Sequence, residues 1–170
     1  MSTNTSPEVF DDDIEEQTAA QEELLMNENE LLLGLLELGR LKDDAENYRQ
    51  INIKHQGRLK LAFRIRPISE DEEQTCWRQA TKYAPAKPGR SKTALDTDLA
   101  KYRPYLIYTA TVNEDRAKIW DNKSAQEALG VLQGVDMIDM VLLAGEKLRV
   151  NGIINEISGY ERGAGEPAKN

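Results

Sequence analysis

One cysteine, one histidine and one basic glycine-containing fragment are the groups best equipped for chemistry in this 170-residue sequence. Cys76 falls on a stretch that reads as a helix, with no histidine near it in sequence to activate a thiol. In that setting it reads as a small core residue, and being single it forms neither an internal disulfide nor a cysteine-based zinc cage. His55 sits beside a turn, where a solvated surface residue is expected rather than a catalytic base. The fragment Gly89-Arg90-Ser91-Lys92-Thr93 lacks both the Gly-Lys-Ser/Thr order and the preceding strand of a phosphate loop. Carboxylates abound, yet no His/Asp/Glu cluster has metal-ligand spacing and no nucleophile has a base beside it. The expectation is a protein with no catalytic residue, no cofactor and no metal.

If bond chemistry is not the task, surface chemistry must be, and the charge is unevenly spread. The 30 acidic and 22 basic residues give a net charge of −8. Residues 1–48 carry 14 acidic side chains against two basic ones, a balance of −12, whereas residues 49–170 carry 16 against 20, a balance of +4. Six basic residues (Arg49, Lys54, Arg58, Lys60, Arg64 and Arg66) follow one another with no acidic residue between them. An acidic arm and a basic body either fold together or meet different partners. Nucleic acid is not expected as a partner. The arm would compete with phosphate, aromatics at 6% are too few for a stacking platform, and no helix-turn-helix or zinc-finger spacing is present. No run of about 18 uncharged apolar residues exists to span a membrane, and Met1 is followed by polar and acidic residues rather than a secretory signal. A soluble intracellular protein is expected.

The elements that must present these surfaces follow from periodicity. Residues 1–13 read as a disordered terminus. From Ile14 to about Leu38 a proline-free stretch of good helix formers predicts a helical arm, within residues 14–48, stopped at Gly39. Its leucines, Leu24, Leu25, Leu31, Leu32, Leu35 and Leu36 with Leu33 and Leu38, make an apolar stripe that must be buried against something. Residues 50–66 switch to period two around His55-Gln56-Gly57, the pattern of a β-hairpin. Ile51, Ile53, Leu59, Leu61, Phe63 and Ile65 are expected inward.

Ser69 and Glu72 form a capping box for a helix from Glu70 to about Tyr83, with Cys76, Trp77, Ala80 and Tyr83 inward. A basic Pro/Gly loop spans 84–94. A helix capped by Asp96 follows, with Pro104 kinking it or marking its start, and Tyr105–Val112 reads equally as helix or strand. Ser124 is expected to cap a brief helix ending at Gly130. The apolar run from Val131 to Leu143 leads to a last helix from about Glu146 to Ile157, with Leu148, Val150, Ile153, Ile154 and Ile157 inward and Gly159 as its left-handed cap. Residues 161–170 read as a flexible tail. The sum is a mostly-α α+β domain over residues 49–160: a hairpin packed by four or five helices, preceded by an acidic helical arm.

Four fragments in fixed order carry a resemblance. They are Phe63-Arg64-Ile65-Arg66-Pro67-Ile68, Thr109-Ala110-Thr111-Val112, Leu142-Leu143-Ala144-Gly145-Glu146 and Ser158-Gly159-Tyr160. Over residues 57–160 the chain resembles the tail assembly chaperones of contractile-tailed phages and phage-like particles. The junction at Leu142–Glu146 is one residue shorter than the family's Leu-Leu-x-x-Gly-Glu. The resemblance implies a non-catalytic role in the host cytoplasm, with the tape measure protein and the tail tube protein as partners and absence from the mature particle; the leucine stripe itself admits helix–helix association with a second copy as a further contact. Leu24, Leu31, Leu35 and Leu38 are the candidate partner-binding residues. Two other readings stay open: a tail or baseplate component retained in the particle, and a small regulatory module whose basic hairpin grips an acidic partner.

Overall fold

The computed structural model describes residues 27–160, and the chain divides after Leu41 into two units. In the first, helix α1 runs Glu28–Arg40. Asn27 caps it, its side-chain oxygen accepting from the Glu30 amide at 3.4 Å. Glu28 and Glu30 in the first turn and Arg40 in the last suit the helix dipole. The helix does not stop at Gly39 as expected. A glycine costs a helix about 1 kcal/mol relative to alanine but ends it only by turning left-handed, and here the chain stays helical through the cap at Leu41. The expected stretch 14–26, with Leu24 and Leu25, lies outside the described residues.

The second unit begins with a short 3-10 turn (Ala45–Asn47) and a hairpin of β1 (Arg49–His55) and β2 (Arg58–Ile65). Gln56 and Gly57 both have positive φ, 52° and 71°, as the commonest two-residue hairpin turn requires. Ile51, Ile53, Phe63 and Ile65 are buried as expected. Leu59 is not: it is 55% exposed. The cause is a bulge. Ile53 pairs with Leu61 but Lys54 with Leu59, so Lys60 is the extra residue, and the alternation changes parity there.

After Pro67, Ser69 and Glu72 close the predicted capping box on α2 (Glu70–Ala80). Helix α2 ends three residues early, because Thr81–Tyr83 becomes strand β3 and pairs antiparallel with β4 (Ala94–Thr97). The hydroxyls of Thr81 and Thr97 meet at 2.8 Å across the pair. This second sheet was not expected. It makes the basic loop 84–94 a hairpin connection and leaves Tyr83 exposed. Trp77, also expected inward, is part-exposed and stacks on Tyr102 with centroids 4.1 Å apart.

The central helix, α3 (Leu99–Ala110), is capped by Asp98 rather than Asp96 and carries Pro104 inside it. The helix-or-strand ambiguity resolves as both. The chain is helical to Ala110, then Thr111 bridges Ile65 of β2, flanked by Arg66 N to Ala110 O at 2.8 Å and Val112 N to Arg64 O at 3.0 Å. Two short helices follow, α4 (Asn113–Lys118) and α5 (Lys123–Leu129), the latter capped by Asn122 rather than Ser124 and ending at Gly130. The last two are α6 (Gly134–Val141) and α7 (Ala144–Ile157). Gly159 takes the expected left-handed conformation after α7, with φ 95°. Leu148 is exposed, because the buried stripe of α7 follows Val150, Asn151 and Ile154 and leaves it to one side.

α3 packs on α2, α6 and α7. The core gathers Leu106 and Ile107 of α3, Met137 and Ile138 of α6, and Val150 and Ile154 of α7 under the hairpin. Trp120 closes it edge-on to Phe63, centroids 5.2 Å apart at 72°. The architecture is mostly-α α+β, as expected.

Candidate partner-binding surfaces

In the first unit, Leu31, Leu35 and Leu38 follow one line of α1 at i, i+4 and i+7, and every one is exposed, Leu38 to 65%. Leu32, Leu33 and Leu36 extend the apolar surface round the helix, and no residue of α1 is buried. A 13-residue helix is marginal in water by itself. Three of the four leucines singled out from sequence thus share one exposed face; Leu24 lies outside the described residues.

The second unit carries an apolar groove of about 360 Å³ between the hairpin and α4–α6. Leu61, Ile119, Ala125, Leu129, Met137 and Val141 line it, with His55, Lys60 and Lys118 at its edge and no acidic residue in its wall. The bulge explains Lys60: the extra residue re-aims that side chain toward the groove. Of its lining, Met137 and Val141 fall in the apolar run Val131–Leu143 that the sequence marks out. A larger cavity of about 510 Å³ under α2 and α3 has a mixed polar and apolar wall. Several of its polar groups are already engaged: Tyr108 donates to both oxygens of Asp121, and Gln126 donates to Trp120 O while accepting from Lys123.

The residues with chemical potential are occupied structurally. Burial pushes the Cys76 thiol up, and its sulfur sits 3.4 Å from the Thr109 hydroxyl. His55 Nε2 lies 2.8 Å from Glu146 Oε1. The basic row on the hairpin is half consumed. Arg64 grips Asp115 with Nε and Nη2, both at 3.0 Å, and its backbone amide donates to the same carboxylate at 2.8 Å. Arg66 donates to Glu72 at 2.7 and 3.2 Å and to the carbonyls of Pro67 and Thr109.

These pairs set an acid limit. The Arg64 guanidinium holds the Asp115 carboxyl below the usual carboxylate range. Burial pushes the Glu72 carboxyl up, but its bonds to Arg66 and Ser69 outweigh that and leave it lowered. A carboxyl depressed by folding adds stability that is complete above its unfolded pKa, near ~4, and is lost as pH falls through the folded value. Thermal unfolding followed by circular dichroism is therefore expected to show a steep loss of Tm below about pH 4. Asp115→Asn should lower Tm at neutral pH and flatten that acid limb; an unchanged limb would remove Asp115 from the account.

The first of the four fragments bonds to the second and to the last, and the third is tied to the hairpin. Arg66 of the first reaches Thr109 of the second, and Ile68 N donates to Ser158 Oγ of the last at 3.1 Å. Glu146 of the third caps α7 by accepting from Leu143 N at 2.8 Å and holds His55 of the hairpin with its other oxygen. Tyr160 donates to Glu73 of α2. The spacing is thus a signature of one architecture, not of a reaction centre. The family described as Phage XkdN-like tail assembly chaperone protein matches residues 34–169. The chain belongs to that family. Comparison with curated proteins and with solved structures gives no significant match. The matched region of this tail assembly chaperone begins at Gly34, so it takes in the second half of α1 with Leu35 and Leu38 as well as the whole described body.

Proposed function

We propose that this tail assembly chaperone binds the tape measure protein in the host cytoplasm, keeps its long amphipathic helices soluble, helps recruit tail tube subunits, and leaves before the particle is complete. It works by covering apolar helix surface and catalyses nothing. The observation that carries this reading is the exposed leucine stripe of α1. Fully burying a leucine contributes about 1.5–3 kcal/mol, so Leu31, Leu35 and Leu38 together supply roughly 5–9 kcal/mol before ordering costs. Association and ordering take back about 4 kcal/mol or more of that, so the stripe alone gives a weak, releasable contact, which suits a holder that must let go.

Co-expression with the tape measure protein tests it. With the wild-type chain the tape measure should stay in the soluble fraction; with Leu31→Glu/Leu35→Glu/Leu38→Glu most of it should pellet, while the variant itself stays folded. Equal tape measure solubility in both cases would end the proposal. Mass spectrometry of purified particles should find the chaperone absent; stoichiometric retention would make it a structural tail component.

A further inference from the structure

The groove of the second unit has the form of a receptor for a short apolar helix, and its charge points to a specific one. Its wall is mostly apolar, with Trp120 and Asn122 among the aliphatic side chains, and holds no acidic residue. Lys60 and Lys118 stand at its edge, and neither ammonium makes a close ion pair among the described residues, although the Lys118 charge also acts on Asp115 and its carbonyl accepts from the Asn122 side chain at 3.1 Å. Helix α1 offers the complement. It presents Leu31, Leu35 and Leu38 in one line, while Glu30 and Glu37, one heptad apart, border the stripe. Its 13 residues span roughly 20 Å at 1.5 Å per residue, and a cavity of about 360 Å³ takes a few leucine side chains of such a helix. Residues 1–41 carry 11 acidic side chains and one basic one, against the positive balance of the body. Lys60 is aimed at the groove only because the β2 bulge puts it there.

We infer that the groove receives α1 of a second copy of this chain, giving a reciprocal dimer in which each leucine stripe lies in the partner's groove and Glu30 and Glu37 face Lys60 and Lys118. Two identical, exchanged contacts satisfy a two-fold axis without leaving a helix unpaired. The dimer is a resting state that covers the surface on which the proposed tape measure binding rests. A long helix with more leucines competes it apart, so the chaperone stores its own apolar face between clients. Charge pairing at the edge tunes encounter and register more than total affinity.

Sedimentation equilibrium of the full chain is the test. Wild type should show twice the chain mass, falling toward monomer on dilution and at high salt. Lys60→Glu/Lys118→Glu should weaken the dimer about tenfold or more with unchanged circular dichroism, and adding Glu30→Lys/Glu37→Lys should restore it. Leu31→Glu/Leu35→Glu should give a monomer. A wild type that is monomeric at every concentration overturns the inference. So does a dimer broken by the leucine changes but indifferent to the lysine changes, which would mean stripe-to-stripe pairing. A Leu35→Cys/Leu129→Cys variant should cross-link at twice the chain mass; cross-linking only at monomer mass would mean that each chain fills its own groove. Tape measure solubility, read separately, stays intact if only the dimer fails.

Discussion

Trp120→Ala should cost about 3–5 kcal/mol, a large share of the ~5–15 kcal/mol that holds a domain together. The indole is fully buried, meets Phe63 edge-on, and is tied into the polar interior at both ends. Its Nε1 donates to Thr111 Oγ1 at 3.0 Å, and Thr111 in turn donates to Ile107 O at 2.6 Å. Its carbonyl accepts from the Gln126 side chain at 2.9 Å. Alanine removes the ring, leaves a cavity where β2, α3 and α5 meet, and takes the donor from a buried hydroxyl. Urea unfolding read by far-ultraviolet circular dichroism should show the midpoint falling steeply, with much of the population open near body temperature. Thr111→Val separates the two effects. It keeps the packing but strands the indole N–H, and should cost about 1–3 kcal/mol. A midpoint for Trp120→Ala within about 1 kcal/mol of wild type would mean that the core is held elsewhere.

Arg116→Met is expected to be the next most damaging change, at about 2–4 kcal/mol. One guanidinium finishes α3: Nε donates to Tyr108 O at 3.0 Å, and Nη2 to Thr109 O at 2.8 Å and Thr111 O at 3.1 Å. The same group lies over the Tyr108 ring, 4.8 Å from its centroid. Helix ends leave carbonyls without partners, and here a positive group meets them where the dipole is negative. Methionine keeps the stem and loses every donor. Lysine keeps the charge but not the planar fork, so Arg116→Lys should recover less than half of the loss. Differential scanning calorimetry reads the magnitude. Hydrogen exchange should locate it, with the amides of Thr111 and Val112 exposed first, since they join helix to hairpin. Protection of those two amides equal to wild type would refute the capping role.

Local chemistry was readable where one short segment decides the outcome. The hairpin turn, the Ser69–Glu72 box and the left-handed Gly159 each depend on a few neighbouring residues, and each was found in place. Reading failed where two equal candidates stood side by side. Asp96 and Asp98, or Asn122 and Ser124, are all competent caps, and the register of the packed helix chooses between them. It failed again where tertiary pairing overrode local preference. Thr81–Tyr83 continue a helical pattern in sequence but find a strand partner in Ala94–Thr97. The bulge at Lys60 leaves no mark in the alternation, so Leu59 was assigned to the wrong face. Of the candidate surfaces, the leucine stripe was legible because it lies on one helix. The groove was not, because the hairpin and three helices each contribute a part, and the Arg64–Asp115 pair joins residues far apart in sequence.

The closure of the body has a consequence for its birth. Ser158 and Tyr160 fasten the end of the last helix to Ile68, just before α2, and to Glu73 in its first turn. The body therefore cannot complete itself until its final turn has emerged from the ribosome, at about 5–20 residues per second. Helix α1 emerges long before. For several seconds the nascent chain presents its leucines with no finished domain behind them, so that apolar surface is open to contact while the chain is still under translation.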